Sequence, residues 1–279
     1  MFSMKFGLNK LSNVQQRVIA GTIGGAIVIS SICIGEYTYF GLFFCICFFA
    51  LNEFYNLLKK VDIKPNRAFG ILSGMTIYTM VFFIENGQLP LKFYYLLFPF
   101  LFTLFLIELF QQNETPFVNI AFTFLGNIYI AFPFALLHVS VFAFSEYHYE
   151  IILGVLFLVW ANDIGGFFSG MLLGRNKLFL RVSPKKTWEG SVGGALFTIF
   201  TSLTLSIFYK NLNAIEWLIM AFIIVVIGSC GDLVESLLKR SLAIKDSGDV
   251  IPGHGGFLDR FDSLLLSAPF IAAFLKIVV

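Results

Sequence analysis

The sequence predicts an all-α polytopic membrane protein with about nine transmembrane helices, and two observations support this. Of the 279 residues, 58% are hydrophobic and only 13% are charged, whereas soluble domains carry about 25% charged residues. Apolar runs of about 17 residues or more recur along the whole chain, and a run of this length crosses a bilayer as a helix. We therefore expect one integral membrane domain with no appended soluble domain.

The predicted spans fall into two groups. Residues 1–150 hold five spans, at 18–35, 37–58, 68–84, 93–110 and 117–142, which we interpret as a scaffold that can also contact a second protomer. The fifth run is long for one span and is predicted to tilt or bend near Pro133. Residues 151–279 hold four spans, at 151–173, 191–209, 217–231 with a helical continuation, and 263–279. The charged residues that suggest a function lie in this second group.

The basic residues predict how the spans are oriented. With the N-terminus in the cytoplasm, 16 of the 19 Lys and Arg residues fall on cytoplasmic segments, and only Lys92, Lys210 and Lys276 fall on the other side. This split follows the positive-inside rule. The C-terminus is then outside, and the charged segments 175–189 and 239–262 are at the cytoplasmic face of the inner cell membrane. The net charge of +2 is too small to indicate a nucleic-acid partner.

A polar run at residues 236–262 stands out in the otherwise apolar chain. Glycines on both sides of His254 allow the backbone to approach a ligand closely. Asp259 and Asp262 share a helix face if the last span begins there, and two or three carboxylates suit Mg²⁺ that also binds phosphates. Neighbouring Lys and Arg residues would carry phosphate charge. An ordinary solvated loop is the simpler alternative, but such a loop does not need so many glycines and paired charges.

Two carboxylates are predicted to lie within the membrane. At 1.5 Å per residue, Asp232 is about 22 Å and Asp163 about 18 Å into their spans. Charged groups at this depth are costly and usually functional, although an ion pair with a lysine of a neighbouring helix is an alternative for Asp232. A continuing helix presents Asp232, Ser236, Lys239 and Arg240 on one face. Lys185 and Lys186 lie on the preceding cytoplasmic loop and either hold an anionic group or serve only to orient the protein.

The polar run resembles the signature of the phosphatidate cytidylyltransferase family, also called CDP-diacylglycerol synthase. The matching positions are Ser236, Leu238, Lys239, Arg240, Lys245, Asp246, Gly248, Pro252, His254, Gly255, Gly256, Asp259, Arg260, Phe261 and Asp262. Asp163 and the stretch S-P-K-K-T-W-E-G at residues 183–190 are similar to a second block of the family. The resemblance covers residues 155–265 well and the first half of the chain by hydropathy alone.

The resemblance implies a reaction in which CTP and phosphatidate give CDP-diacylglycerol and diphosphate. It implies Asp232 and Asp259 as metal ligands, Asp262 as a further carboxylate, and phosphate contacts from Ser236, Lys239 and Lys185. The remaining implied substrate-binding residues are Asp163, Lys186, Arg240, Asp246, His254 and Arg260. The family also implies Mg²⁺, a second cation for which K⁺ is the candidate, and a homodimer.

Two other functions remain alternatives. A CTP-dependent polyprenol kinase would transfer the γ-phosphate and release CDP instead of diphosphate. A transporter also carries buried carboxylates, but it is expected to show inverted repeats with broken helices in both halves. Here the charged features are concentrated in the second half of the chain, which favours an enzyme over a transporter.

Overall fold

The computed structural model describes residues 13–242, residue 244 and residues 256–278, with side chains from residue 21 onward. Asp246 and His254, both predicted site residues, lie outside the described residues, as does Lys245.

The described chain is built from helices, with one small hairpin. The helices are α1 Asn13–Ile34, α2 Glu36–Lys59, α3 Arg67–Glu85, α4 Tyr94–Phe110, α5 Pro116–Gly126, α6 Phe132–Val141, α7 Tyr149–Leu173, α8 Trp188–Phe208, α9 Ala214–Ile223, α10 Ser229–Ser241 and α11 Leu258–Val278. Five-residue π-helical segments, Asn127–Ala131 and Ile224–Gly228, join α5 to α6 and α9 to α10. A 3₁₀ turn, Leu91–Phe93, leads into α4.

These helices confirm the predicted fold class. Within the described residues, eight helical segments are long and apolar enough to cross a membrane, and Gly21–Ile34 is a shorter apolar helix. The predicted helical continuation after residue 231 is confirmed, since α10 runs to Ser241. The fifth predicted span is α5 and α6 with the π-helical segment between them, and this segment ends just before Pro133. The orientation of the spans stays a prediction.

The structure differs from the sequence prediction at two helix starts. The last helix begins at Leu258 instead of residue 263, and the Asp259 carboxylate in its first turn accepts a hydrogen bond from the Gly256 N–H at 3.2 Å. A negative charge at this position also favours the start of a helix. α8 begins at Trp188 because the Thr187 side chain accepts from the Gly190 N–H at 3.2 Å and caps the helix.

The segment predicted as a plain loop between α7 and α8 contains an antiparallel hairpin. Strand β1, Lys177–Phe179, pairs with β2, Ser183–Thr187. Glu189, in the first turn of α8, accepts hydrogen bonds from the backbone N–H groups of Arg175 and Asn176, each at 3.1 Å. The base of the hairpin is thereby fixed to the start of α8.

Glycines bring α7 and α8 into close contact. A Cβ atom added to Gly190 would lie 2.9 Å from the Gly166 carbonyl oxygen, and one added to Gly194 would lie 2.8 Å from the Asn162 carbonyl oxygen. Side chains at these positions would push the helices apart. The close approach places the polar end of α7, including Asp163, beside the hairpin.

Candidate active site

A cavity of about 480 Å³ lies where α7, the hairpin, the start of α8 and the start of α10 meet. Its polar lining comes from three separate parts of the sequence: Asn162 and Asp163, then Lys185 and Lys186, then Ser229 and Asp232. Phe167 and Met171 of α7 add an apolar part to the wall. The cavity therefore combines charged groups with apolar surface, which suits a ligand that has both characters.

An ion pair between Lys186 and Asp232 crosses this cavity. The Lys186 Nζ lies 2.6 Å from Asp232 Oδ2, and the two side chains are 28% and 38% exposed. Lys186 Nζ also donates to the carbonyl oxygen of Ser229 at 3.4 Å. Asp232 Oδ1 accepts a hydrogen bond from Ser236 at 3.4 Å. The lysine that pairs with Asp232 thus lies on the hairpin. The sequence analysis had considered an ion pair with a lysine of a neighbouring helix instead.

Further carboxylates act on this pair. Asp163 and Asp262 each interact electrostatically with Asp232 and with Lys186. Asp262 Oδ1 also accepts a hydrogen bond from the Ser263 N–H at 2.6 Å. The positive charge of Arg260 interacts electrostatically with Asp163. Asp163, Asp232 and Asp262 therefore all interact electrostatically with the Lys186 ammonium, and this excess of negative charge favours an additional cation.

The described carboxylates do not form a complete metal site by themselves. Among the described residues, no three His, Cys, Asp or Glu side chains are arranged to hold a metal ion. Mg²⁺ usually takes one or two protein carboxylates and completes its shell with waters and substrate phosphates. The carboxylates around Lys186 fit such a site, in which the substrate supplies the remaining ligands.

A second charged cluster lies at the other end of α10. Lys239 Nζ is 2.7 Å from Asp259 Oδ1 and 2.5 Å from Glu235 Oε2. The exposed fractions of the three side chains are 13% for Lys239, 12% for Asp259 and 1% for Glu235. The predicted phosphate-binding lysine and one predicted metal ligand therefore bind each other in this structure.

The other predicted residues are distributed around these clusters. Lys185 lines the cavity and is exposed. Arg240 is exposed, and its guanidinium donates to the Ile244 carbonyl oxygen at 3.4 Å. Arg260 is also exposed. Of the four residues predicted to share one face of α10, Asp232 and Ser236 contact each other, while Lys239 and Arg240 have other partners.

The sequence analysis missed four polar residues of this region, Asn162, Ser229, Glu235 and Glu53. Asn162 donates to the Ser229 hydroxyl at 3.4 Å and links α7 to α10. Glu235 precedes Lys239 by one helical turn, and this spacing was a signal that could have revealed the pair. Glu53 of α2 is buried and accepts a hydrogen bond from the Phe257 N–H at 2.8 Å. Its only signal was an acidic residue within an apolar run.

Fold and site together define a polytopic membrane protein that gathers lysines and carboxylates around one cavity. The sequence profile of the cytidylyltransferase family matches residues 15–278. The chain therefore belongs to the cytidylyltransferase family, and the resemblance found in the polar run is confirmed.

Individual relatives match over most of the chain. A phosphatidate cytidylyltransferase of Bacillus subtilis is 27% identical over 268 residues, covering 93% of this chain and 96% of the relative. A phosphatidate cytidylyltransferase of Staphylococcus saprophyticus is 34% identical over 236 residues, covering 82% and 86%. The protein of the same name from Haemophilus influenzae is 36% identical over 168 residues, which is 58% of each chain.

Proposed function

We propose that this protein is a phosphatidate cytidylyltransferase of phospholipid biosynthesis, which converts CTP and phosphatidate into CDP-diacylglycerol and diphosphate. The observation that carries the proposal is the Lys186–Asp232 ion pair. It joins Lys186 of the second family block to Asp232, which lies one helical turn before the polar run and accepts a hydrogen bond from Ser236, and it does so in the wall of one cavity. The names of relatives that align along nearly the whole chain support the same activity.

The chemistry requires positioning more than proton transfer. An oxygen of the phosphatidate phosphate attacks the α-phosphorus of CTP, a new O–P bond forms, and the bond from the α-phosphorus to the diphosphate leaving group breaks. The attacking oxygen is already an anion, so no strong base is needed. Catalysis then consists of aligning two polyanions and neutralising the charge between them.

The lysines of the hairpin supply part of that neutralisation. Lys185 is exposed at the cavity and is suited to contact a phosphate. Lys186 holds the Asp232 carboxylate in place, and Ser236 supports it from the next turn of α10. Asp163 and Asn162 form the opposite wall. Phe167 and Met171 would contact the apolar part of the lipid.

Asp232 is the first proposed ligand for Mg²⁺, which when bound would neutralise phosphate charge. Asp259 is the second ligand that the family resemblance implies, and Lys239 and the Gly256 N–H hold its carboxylate in this structure. Asp262 is the further carboxylate, and its electrostatic interaction with Asp232 supports a place beside the metal. A second cation such as K⁺ is part of the proposal through the resemblance only.

We further propose that the site faces the cytoplasm from the inner membrane and that two copies of the chain associate. The distribution of basic residues supports the orientation. CTP would enter from the cytoplasm, while phosphatidate would remain in the bilayer with its headgroup at the membrane surface. Homodimer formation is proposed from the family resemblance.

The decisive experiment uses the purified protein with radiolabelled CTP, phosphatidate and Mg²⁺, with and without EDTA. We expect two products, a labelled liponucleotide and free diphosphate. Neither should form when EDTA removes the metal. In a parallel assay with a polyprenol in place of phosphatidate, release of CDP with a phosphorylated polyprenol would instead support the kinase alternative. Absence of metal-dependent liponucleotide would overturn the proposal.

A further inference from the structure

The buried carboxylate of Glu53 binds the backbone at the start of α11. Glu53 lies on α2 and is 5% exposed. Its Oε2 accepts a hydrogen bond from the Phe257 N–H at 2.8 Å. One turn earlier on α2, the Phe49 ring stacks on the Phe257 ring, with centroids 5.2 Å apart and planes 13° apart. Two side chains of α2 therefore hold the same residue of the polar run.

This contact supplies a partner for a backbone group at a helix start. The first N–H groups of a helix and those just before it have no acceptor within the helix. A carboxylate at this position also interacts favourably with the positive end of the helix dipole. Burying a carboxylate in a membrane span is costly, so its position directly at the start of α11 calls for an explanation beyond packing.

The backbone held by Glu53 leads directly to the second charged cluster. The residue before Phe257 is Gly256, whose N–H donates to Asp259 Oδ2 at 3.2 Å. The other oxygen of Asp259 is 2.7 Å from Lys239 Nζ. A shift of the Gly256–Phe257 backbone would therefore move the Asp259 carboxylate and change its distance from Lys239.

We propose that Glu53 is a positioning residue of the active site, which fixes the start of α11 and through it the Asp259 carboxylate and the Lys239 ammonium. The kinetic part of this inference rests on the proposed function. It gives α2, which lies outside both sequence blocks that resemble the family, a specific part in the reaction.

The test compares Glu53→Ala and Glu53→Gln with a matched control, Glu108→Ala. Glu108 is another buried acid, 3% exposed on α4, and accepts from Asn113 Nδ2 at 2.8 Å. Each purified protein is assayed for kcat, for KM of CTP and for its Mg²⁺ requirement. Thermal unfolding is followed in parallel, and hydrogen–deuterium exchange is measured on peptides that begin several residues before Phe257 and cover its N–H.

We expect Glu53→Ala to lower kcat by about 10- to 100-fold, because small misplacements of catalytic groups are costly, with a smaller change in KM. Glu53→Gln should recover most of the activity, since its carboxamide oxygen still accepts from the Phe257 N–H. Exchange near residue 257 should be faster in Glu53→Ala and unchanged in Glu108→Ala. The control should keep its kcat even where its melting temperature falls.

The outcomes separate this inference from the proposed function. If the wild type makes no liponucleotide but Glu53→Ala speeds exchange at the start of α11, the proposed reaction fails and the structural link stands. If the wild type is active and Glu53→Ala changes neither kcat nor exchange, the positioning role is overturned. Equal losses of kcat in Glu53→Ala and Glu108→Ala, or no recovery in Glu53→Gln, would overturn it as well.

Discussion

The Lys186 ammonium lies 2.6 Å from the Asp232 carboxylate and so connects the hairpin to α10. The hairpin itself is fixed to the start of α8 by Glu189, and α8 packs closely against α7. The ion pair therefore links the α7–α8 unit to the α10–α11 unit across the cavity. It gives the proposed reaction its geometry, and it is the first contact to test.

Replacing Lys186 with Met should lower kcat/KM by about 100-fold, the scale of losing one preorganised charge at a reaction centre. The substitution removes the partner of Asp232 and leaves the neighbouring carboxylates to repel one another. Steady-state assays with CTP and phosphatidate measure the effect. Lys210→Met is the matched control, because Lys210 is exposed and donates to the Ser206 carbonyl oxygen. A Lys186 variant as active as the Lys210 variant would contradict the role of the ion pair.

Asp232→Asn should reduce activity to below about 1% of the wild type while the protein stays folded, because the amide cannot replace a metal-binding carboxylate. Asp259→Ala and Asp262→Asn are compared in the same assay across a Mg²⁺ titration. The variant that loses activity and is not rescued by high Mg²⁺ identifies the second ligand. Near wild-type turnover of Asp232→Asn at saturating Mg²⁺ would exclude Asp232 from metal binding.

Lys239→Met should destabilise the protein by about 3–5 kcal/mol, because it leaves the buried Glu235 carboxylate and the partly buried Asp259 carboxylate without their shared cation. Unfolding in mixed detergent micelles measures the loss. Adding Glu235→Gln to this variant should restore part of the stability. Arg240→Met, one residue further along α10 and exposed, should change stability by less than about 0.5 kcal/mol. Equal effects at both positions would show that the cluster does not stabilise the fold.

Gly190→Ala should destabilise the protein by about 1–3 kcal/mol, the usual cost of adding a methyl group to a filled interface. Its Cβ would lie 2.9 Å from the Gly166 carbonyl oxygen, whereas a Cβ on Gly41 would have no heavy atom within 4 Å. Gly41→Ala, within α2, should be neutral or stabilising by up to about 1 kcal/mol. Thermal unfolding of both variants checks the difference. Similar melting temperatures would argue against tight packing of α7 on α8.

A reporter fused after Val279 should behave as an extracytoplasmic protein, because the proposed topology has nine spans and begins in the cytoplasm. Alkaline phosphatase, which is active only outside the cytoplasm, and green fluorescent protein, which is fluorescent inside, give opposite signals. A second fusion placed after residue 180 should give the cytoplasmic signal. A cytoplasmic signal from the C-terminal fusion would overturn the proposed topology.

The spans could be predicted from the sequence because their apolar runs are long and local in the chain. The hairpin could not, since Lys177–Phe179 and Ser183–Thr187 are short, and several of their residues are charged. The carboxylates Asp163 and Asp232 were found because charge is rare at membrane depth, and Asp262 was found because it lies in the polar run, three residues after Asp259. The partners of the buried acids were not predicted. The pairing of Lys186 with Asp232, and of Glu53 with the Phe257 N–H, depends on how segments that are distant in the sequence pack together.

The π-helical segment Ile224–Gly228 determines the directions in which the side chains of α10 face. A π-helical turn holds one more residue than an α-helical turn, and one residue corresponds to about 100° around a helix. If the same residues were wound as a regular α-helix here, Asp232 would turn by about 100° away from the hairpin, with no change to any side chain of the site. The angular register of α10 is thus encoded by a backbone insertion among apolar residues, where comparison of the charged residues alone would not reveal it.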